Sequence, residues 1–129
     1  MIQDPVTSKI ITIAHQVHAE LGHGFNEKIF ENSLAIALTE DGFKVSQQHP
    51  IDVHFRGHLV GEFFADILVD DTLILELKAL TALAPEHHAQ LINYIKAANL
   101  QTGLLLNFGA PKLQVKRAYH PNLPSRSDT

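Results

Sequence analysis

The chain has 129 residues, of which 45% are hydrophobic, with a formal net charge of −4 and no cysteine. That apolar content suffices for one packed core, whereas the missing thiols exclude a disulfide framework, a thiolate zinc site and a cysteine nucleophile. No stretch reaches the ~18 apolar residues of a membrane span, and the acidic balance argues against tight duplex binding built on many basic contacts. The expectation is a single domain over residues 1–120, located in a reducing cytoplasm and without a membrane partner.

Asp4-Pro5 reads as a helix N-cap followed by proline at the first helical position. Val6, Ile10, Ala14, Val17 and Leu21 then recur at helical spacing, which predicts a helix from about Pro5 to Leu21. Gly22-His23-Gly24 ends it. A second helix follows, in which Phe25, Ile29 and Ile36 alternate with Phe30, Leu34 and Leu38 until Asp41-Gly42 stops the pattern. From Lys44 the period becomes two: Ile51, Val53 and Phe55 alternate with Asp52, His54 and Arg56, and Arg56-Gly57 makes a hairpin turn. Residues 59–69 and 73–79 continue the sheet, with 63–69 apolar enough for a strand covered on both faces. Pro85 opens a third helix whose apolar stripe is Leu91, Ile95 and Ala98, beside a face carrying His87, Gln90 and Tyr94. Gly103 leads into a short buried strand, Leu104-Leu105-Leu106, and 112–120 reads as one more. Residues 121–129, with Pro121, Pro124, Ser125 and Ser127, have little to bury and are expected to form a flexible tail. The order α-α-β-β-β-α-β-β predicts the α+β class, a central mixed sheet flanked by helices.

Residues 64–78 place three charged groups, Asp66, Glu76 and Lys78, in two strands of buried composition. A lone ion in an apolar interior costs several kcal/mol, so such groups are normally paired or metal-bound. Strand periodicity puts Glu76 and Lys78 on one face. The turn decides whether Asp66 joins them: a two-residue loop at Asp70-Asp71 pairs 66 with 75, whereas a three-residue loop of Asp70, Asp71 and Thr72 pairs 66 with 76 and 64 with 78. Only the odd loop stands the two carboxylates opposite one another, where they repel unless a cation lies between them. Carboxylate oxygens are the ligands Mg²⁺ and Mn²⁺ prefer, and a metal so held lowers the pKa of a bound water while a nearby ammonium steadies developing negative charge. An ordinary salt-bridged strand pair, with Lys78 neutralising Glu76 or Asp66, accounts for the same spacing.

The pattern Asp66, nine residues, Glu76-Leu77-Lys78 resembles the active-site signature of the PD-(D/E)xK nuclease superfamily, with Ala65 where that signature has proline. Gly24-Phe25-Asn26-Glu27-Lys28-Ile29-Phe30 is similar to the motif of the GxxExxY protein family, a small branch of that superfamily, with Phe30 in place of its tyrosine. The likeness continues through Glu76-Leu77-Lys78-Ala79, 90–94 and 105–109. It implies a restriction-endonuclease-like core and a Mg²⁺- or Mn²⁺-dependent nuclease acting on nucleic acid, DNA in preference to RNA. It further implies that Asp66, Glu76 and the backbone carbonyl of Leu77 ligate the metal, that Lys78 is the catalytic lysine, and that Glu27 is the helical carboxylate approaching the metal. Gln90 and Tyr94 match a Gln-xxx-Tyr motif that faces substrate, and their i, i+4 spacing puts them on one helical face.

Plainer roles are open to some of these residues. Three positions after Gly24, Glu27 resembles half of a capping box. Gln90 and Tyr94 read equally as a partly exposed polar stripe. As zinc ligands, adjacent His87 and His88 diverge by about 100° on a helix and the pair His15 and His18 lacks a third ligand nearby in sequence, although His87 sits one turn before Gln90 and can edge a cleft. Lys112, Lys116 and Arg117 are the candidates for a basic rim, or else a solvated strand face. The rival to a nuclease is a non-catalytic interaction module keeping the same fold, and exposed strand edges leave room for a homodimer.

Overall fold

A computed structural model describes residues 4–123. Helix α1 (Pro5–Leu21) begins where the Val6 N–H donates to Asp4 Oδ1 (3.0 Å), with Pro5 in its first turn, and ends at Gly22, whose φ of 78° suits glycine. Helix α2 (Glu27–Glu40) is capped by Asn26, which accepts from the Ile29 N–H (3.1 Å). Glu27 is therefore the first helical residue and no part of a cap at Gly24. Of the two apolar stripes on α2, Phe30, Leu34 and Leu38 are buried, while Phe25, Ile29 and Ile36 stay exposed.

The sheet consists of β1 (Val45–Phe55), β2 (His58–Val69), β3 (Leu73–Lys78), β4 (Thr102–Asn107) and β5 (Gln114–Tyr119), lying side by side in that order. Neighbours are antiparallel except β3 and β4, whose parallel pairing requires a crossover; α3 (Pro85–Ala98) supplies it. One face of the sheet packs on α1 and α2 through Ile10, Leu34, Ile67, Leu75 and Leu106. The other packs on α3 through Ala65, Ile74, Leu91, Ile95 and Leu105. This is the mixed sheet between helices that the order of elements predicts. Of the tail expected over 121–129, residues from 124 onward lie outside the described residues.

Two turns shape the site. Arg56 and Gly57 both have positive φ (51° and 80°), which closes the β1–β2 hairpin tightly. Between β2 and β3 the loop is the three-residue one: Asp70 and Asp71 are left-handed, and the Thr72 N–H donates to the Val69 carbonyl (3.0 Å). The register Val69↔Leu73, Leu68↔Ile74, Ile67↔Leu75 follows, and it directs Asp66 toward Glu76.

The β3 exit is held from β4. Fully buried Asn107 accepts from the Leu80 N–H (2.9 Å), donates to the Leu80 carbonyl (2.9 Å) and donates to Gln114 (2.8 Å). Gly109 lies so close to this exit that a Cβ there would overlap the backbone of Ala79 and Leu80. Since neither backbone can yield without displacing the chain next to Lys78, Gly109→Ala is expected to destabilise the fold by about 1–3 kcal/mol. Chemical denaturation of the variant measures it, and an unchanged midpoint contradicts the packing.

Candidate functional site

Strands β2 and β3 pair only from Ile67↔Leu75 to Val69↔Leu73, after which they part. Where the next rungs would lie, side chains take over. The Asp66 N–H donates to Glu76 Oε1 (3.2 Å) and the Leu77 N–H to Asp66 Oδ2 (2.8 Å). Each carboxylate thus satisfies a backbone donor that separation of the strands would otherwise leave unpaired. The Asp66 charge pushes the Glu76 pKa in the same direction as burial does.

Glu76 is 7% exposed. Its pKa is pushed up to about 8, by desolvation first and then by the neighbouring Asp66 charge, with Lys78 pulling the other way. Burial therefore favours the protonated form of Glu76 at neutral pH. Glu27, on the first turn of α2, is exposed at the mouth of the same cluster; its pKa is raised by partial desolvation and by Asp66, and lowered by Lys78. Asp66, Glu76, Lys78 and Glu27 are thus brought together from three elements.

Tyr94 joins them from α3. Its hydroxyl is hydrogen-bonded to Gln90, and its pKa is raised by burial, then by Glu76 and Asp66. The ring stacks on Phe63 of β2, with centroids 3.6 Å apart. His87 closes the start of α3, where its Nδ1 accepts from the Ala84 N–H (3.0 Å). Lys116 lies in register with Leu105, which is in register with Glu76, so this one basic residue sits two strands from the acidic pair.

Sequence reasoning overlooked three residues of this cluster. Glu31, four positions after Glu27 on the same helical face, is only 2% exposed, and its carboxylate accepts from Lys28 Nζ (3.1 Å), Gln47 Nε2 (2.8 Å) and Gln48 Nε2 (2.9 Å). The i, i+4 repeat of acids was the available signal. For Gln47 and Gln48 there was none, because consecutive strand residues normally face opposite sides. Gln48, with φ 50°, breaks that alternation, and its amide also donates to Asp66 Oδ1 (3.2 Å).

Among the described residues no three His, Asp or Glu side chains gather so that they could hold a metal by themselves. Two carboxylates nevertheless fit Mg²⁺ or Mn²⁺, which keep several waters and take the remaining oxygens from backbone and substrate. Desolvation and the Asp66 charge hold Glu76 against ionisation, a cost that a divalent cation beside the two carboxylates would offset.

A family model described as the PD-(D/E)XK nuclease superfamily matches residues 4–118. Solved structures of similar shape include an alkaline exonuclease from Laribacter hongkongensis, 17% identical, covering 93% of this chain and 73% of that one with a TM-score of 0.53. Another, SSO0001, is 12% identical and covers 92% of this chain and 80% of its own, with a TM-score of 0.59. No curated protein matches the sequence. At these identities the likeness to solved structures speaks for the fold, and the family match over nearly the whole described chain carries the assignment: the chain belongs to the PD-(D/E)XK nuclease superfamily.

Proposed function

We propose that this chain is a metal-dependent nuclease of the GxxExxY branch, hydrolysing phosphodiester bonds of nucleic acid, DNA in preference to RNA. The observation that carries the reading is the meeting of Asp66 and Glu76 where β2 and β3 part, with Lys78 and Glu27 beside them. Asp66, Glu76 and the Leu77 carbonyl would hold Mg²⁺ or Mn²⁺, and the ion, when bound, supplies an acidic water and a counter-charge for the phosphate. Lys78 steadies negative charge on the reacting phosphate. Glu27, at the exposed mouth, accepts hydrogen bonds from water entering the site. Gln90 and Tyr94 line the α3 side, where the Phe63–Tyr94 stack fixes a flat face for a sugar or base.

The rival reading, an interaction module that keeps the fold, draws on the net charge of −4 and on the exposed Phe55, Leu59 and Val60 at the hairpin tip. The open edge of β1 is the surface available to a second copy of the chain. The lack of cysteine fits a cytoplasmic setting, and among the described residues no helix is long and apolar enough to cross a membrane.

The test pairs chemistry with binding. Single- and double-stranded DNA and RNA are incubated with Mn²⁺ or Mg²⁺, and Mn²⁺ is titrated calorimetrically into the protein and into Asp66→Ala. Cleavage of at least one DNA substrate is expected, together with Mn²⁺ binding that the substitution weakens by about 10-fold or more. Inert substrates combined with Mn²⁺ binding that ignores Asp66 would decide for the interaction module.

A further inference from the structure

A hydrogen-bonded network anchored on buried Glu31 stands behind Asp66, and its keystone is Gln48, an exposed residue with strained backbone. The β1–β2 ladder runs through Gln47↔Ile67 and His49↔Ala65 but skips the pair between them, Gln48 and Asp66. Gln48 lies there at φ 50°, in the left-handed region where a glutamine side chain is disfavoured. The strain has visible consequences. It brings the amides of two consecutive residues, Gln47 and Gln48, onto the same Glu31 carboxylate. On β2, Ala65 packs toward α3 whereas Ile67, two residues on, packs toward α1 and α2, so the strand changes face at Asp66.

The chemistry of the linkage is specific to an amide. Gln48 Nε2 donates to Glu31 Oε1 (2.9 Å) and to Asp66 Oδ1 (3.2 Å), so its two N–H bonds span two acidic residues. Glu31 is the fixed end, because it is nearly fully buried and also held by Lys28 and Gln47. Asp66 is the oriented end: with Oδ1 tied to Gln48, its Oδ2 meets the Leu77 N–H (2.8 Å). A glutamate at 48 would set a third carboxylate among these acids. A glycine would relieve the backbone but remove the link.

We infer that Gln48 is a positioning residue, whose left-handed backbone and forked amide tie Asp66 to buried Glu31 and so fix the carboxylate at the mouth of the site. The inference deepens the proposed metal-dependent nuclease and rests on it for its purpose, while its geometry is testable without metal. The deciding measurement is amide exchange at Leu77, whose N–H is held by Asp66. In metal-free Gln48→Gly, Leu77 should exchange about 10-fold faster or more, with Leu75 unchanged and Tm equal or higher. Mn²⁺ affinity should fall by about 10- to 100-fold, the usual loss when support behind a metal ligand is removed. If the glycine variant does not fold, Gln48→Asn tolerates the same φ but its amide is one methylene too short, and the same exchange is expected. Unaltered Leu77 protection in a folded variant overturns the inference whatever the metal affinity does. A native chain that binds no Mn²⁺ defeats the metal reading instead, and Leu77 exchange then still decides the role of Gln48.

Discussion

Replacing Lys78 with alanine is expected to lower cleavage of nucleic acid by about 10²–10³-fold, the usual cost of deleting one group that stabilises charge in the transition state. Stability should change by about 0.5 kcal/mol or less, because Lys78 ends β3 with a partly exposed side chain and forms none of the core contacts. Its electrostatic position separates catalysis from binding. Lys78 lowers the pKa of both Glu27 and Glu76, so it competes with any cation for the same carboxylates. Deleting it should therefore leave Mn²⁺ affinity equal or tighter while kcat collapses. Lys78→Arg should recover little, since a planar guanidinium does not reproduce a compact ammonium point charge. Single-turnover cleavage at saturating Mn²⁺, set beside a calorimetric titration, checks both halves. An alanine variant that cuts as fast as the native chain removes Lys78 from the chemistry.

The fold and half of the site were legible because they follow from local rules. Helix α1 was bounded by Asp4-Pro5 and Gly22, and α3 by Pro85 and its Leu91–Ile95 stripe, signals that act within a few residues. The charge cluster could be posed as a choice of loop length, and the left-handed Asp70 and Asp71 followed by Thr72 resolve it in favour of the odd register. What sequence could not disclose depends on a break in periodicity. Alternation predicts that Gln47 and Gln48 point apart; only the φ of 50° at Gln48 sends both to Glu31. Glu31 itself occupies a buried helical position that the pattern of apolar residues leaves unmarked, since nothing local tells that amides from a distant strand will satisfy it. His87 likewise has a role that its spacing from Gln90 does not disclose, since its ring caps the start of α3.

Metal-free protein is expected to lose stability as pH rises from the ordinary carboxylate range to about 8, and Glu76→Gln should abolish most of that loss. Burial and Asp66 raise the Glu76 pKa in the folded chain above its value of 4.5 in the unfolded one. Between those two values the native state holds a proton that the unfolded state has released, so stability falls by about 1.4 kcal/mol per pH unit attributable to this group. The total is roughly 3–5 kcal/mol, fully present as stability below the unfolded pKa and lost once pH passes the folded one. The informative quantity is the difference between native chain and variant at each pH, which isolates the contribution of Glu76. Glutamine keeps the shape and an oxygen for the Asp66 N–H but never ionises, so the variant should be the more stable protein at pH 9 and nearly equal to the native chain at pH 4. Mn²⁺ acts in the opposite sense: binding the ionised form of Glu76, it should raise the Tm of the native chain most at high pH and that of Glu76→Gln hardly at all. Calorimetric Tm measured across pH, with and without Mn²⁺, reads both effects. Parallel curves for the two proteins would mean that folding leaves the Glu76 pKa unraised.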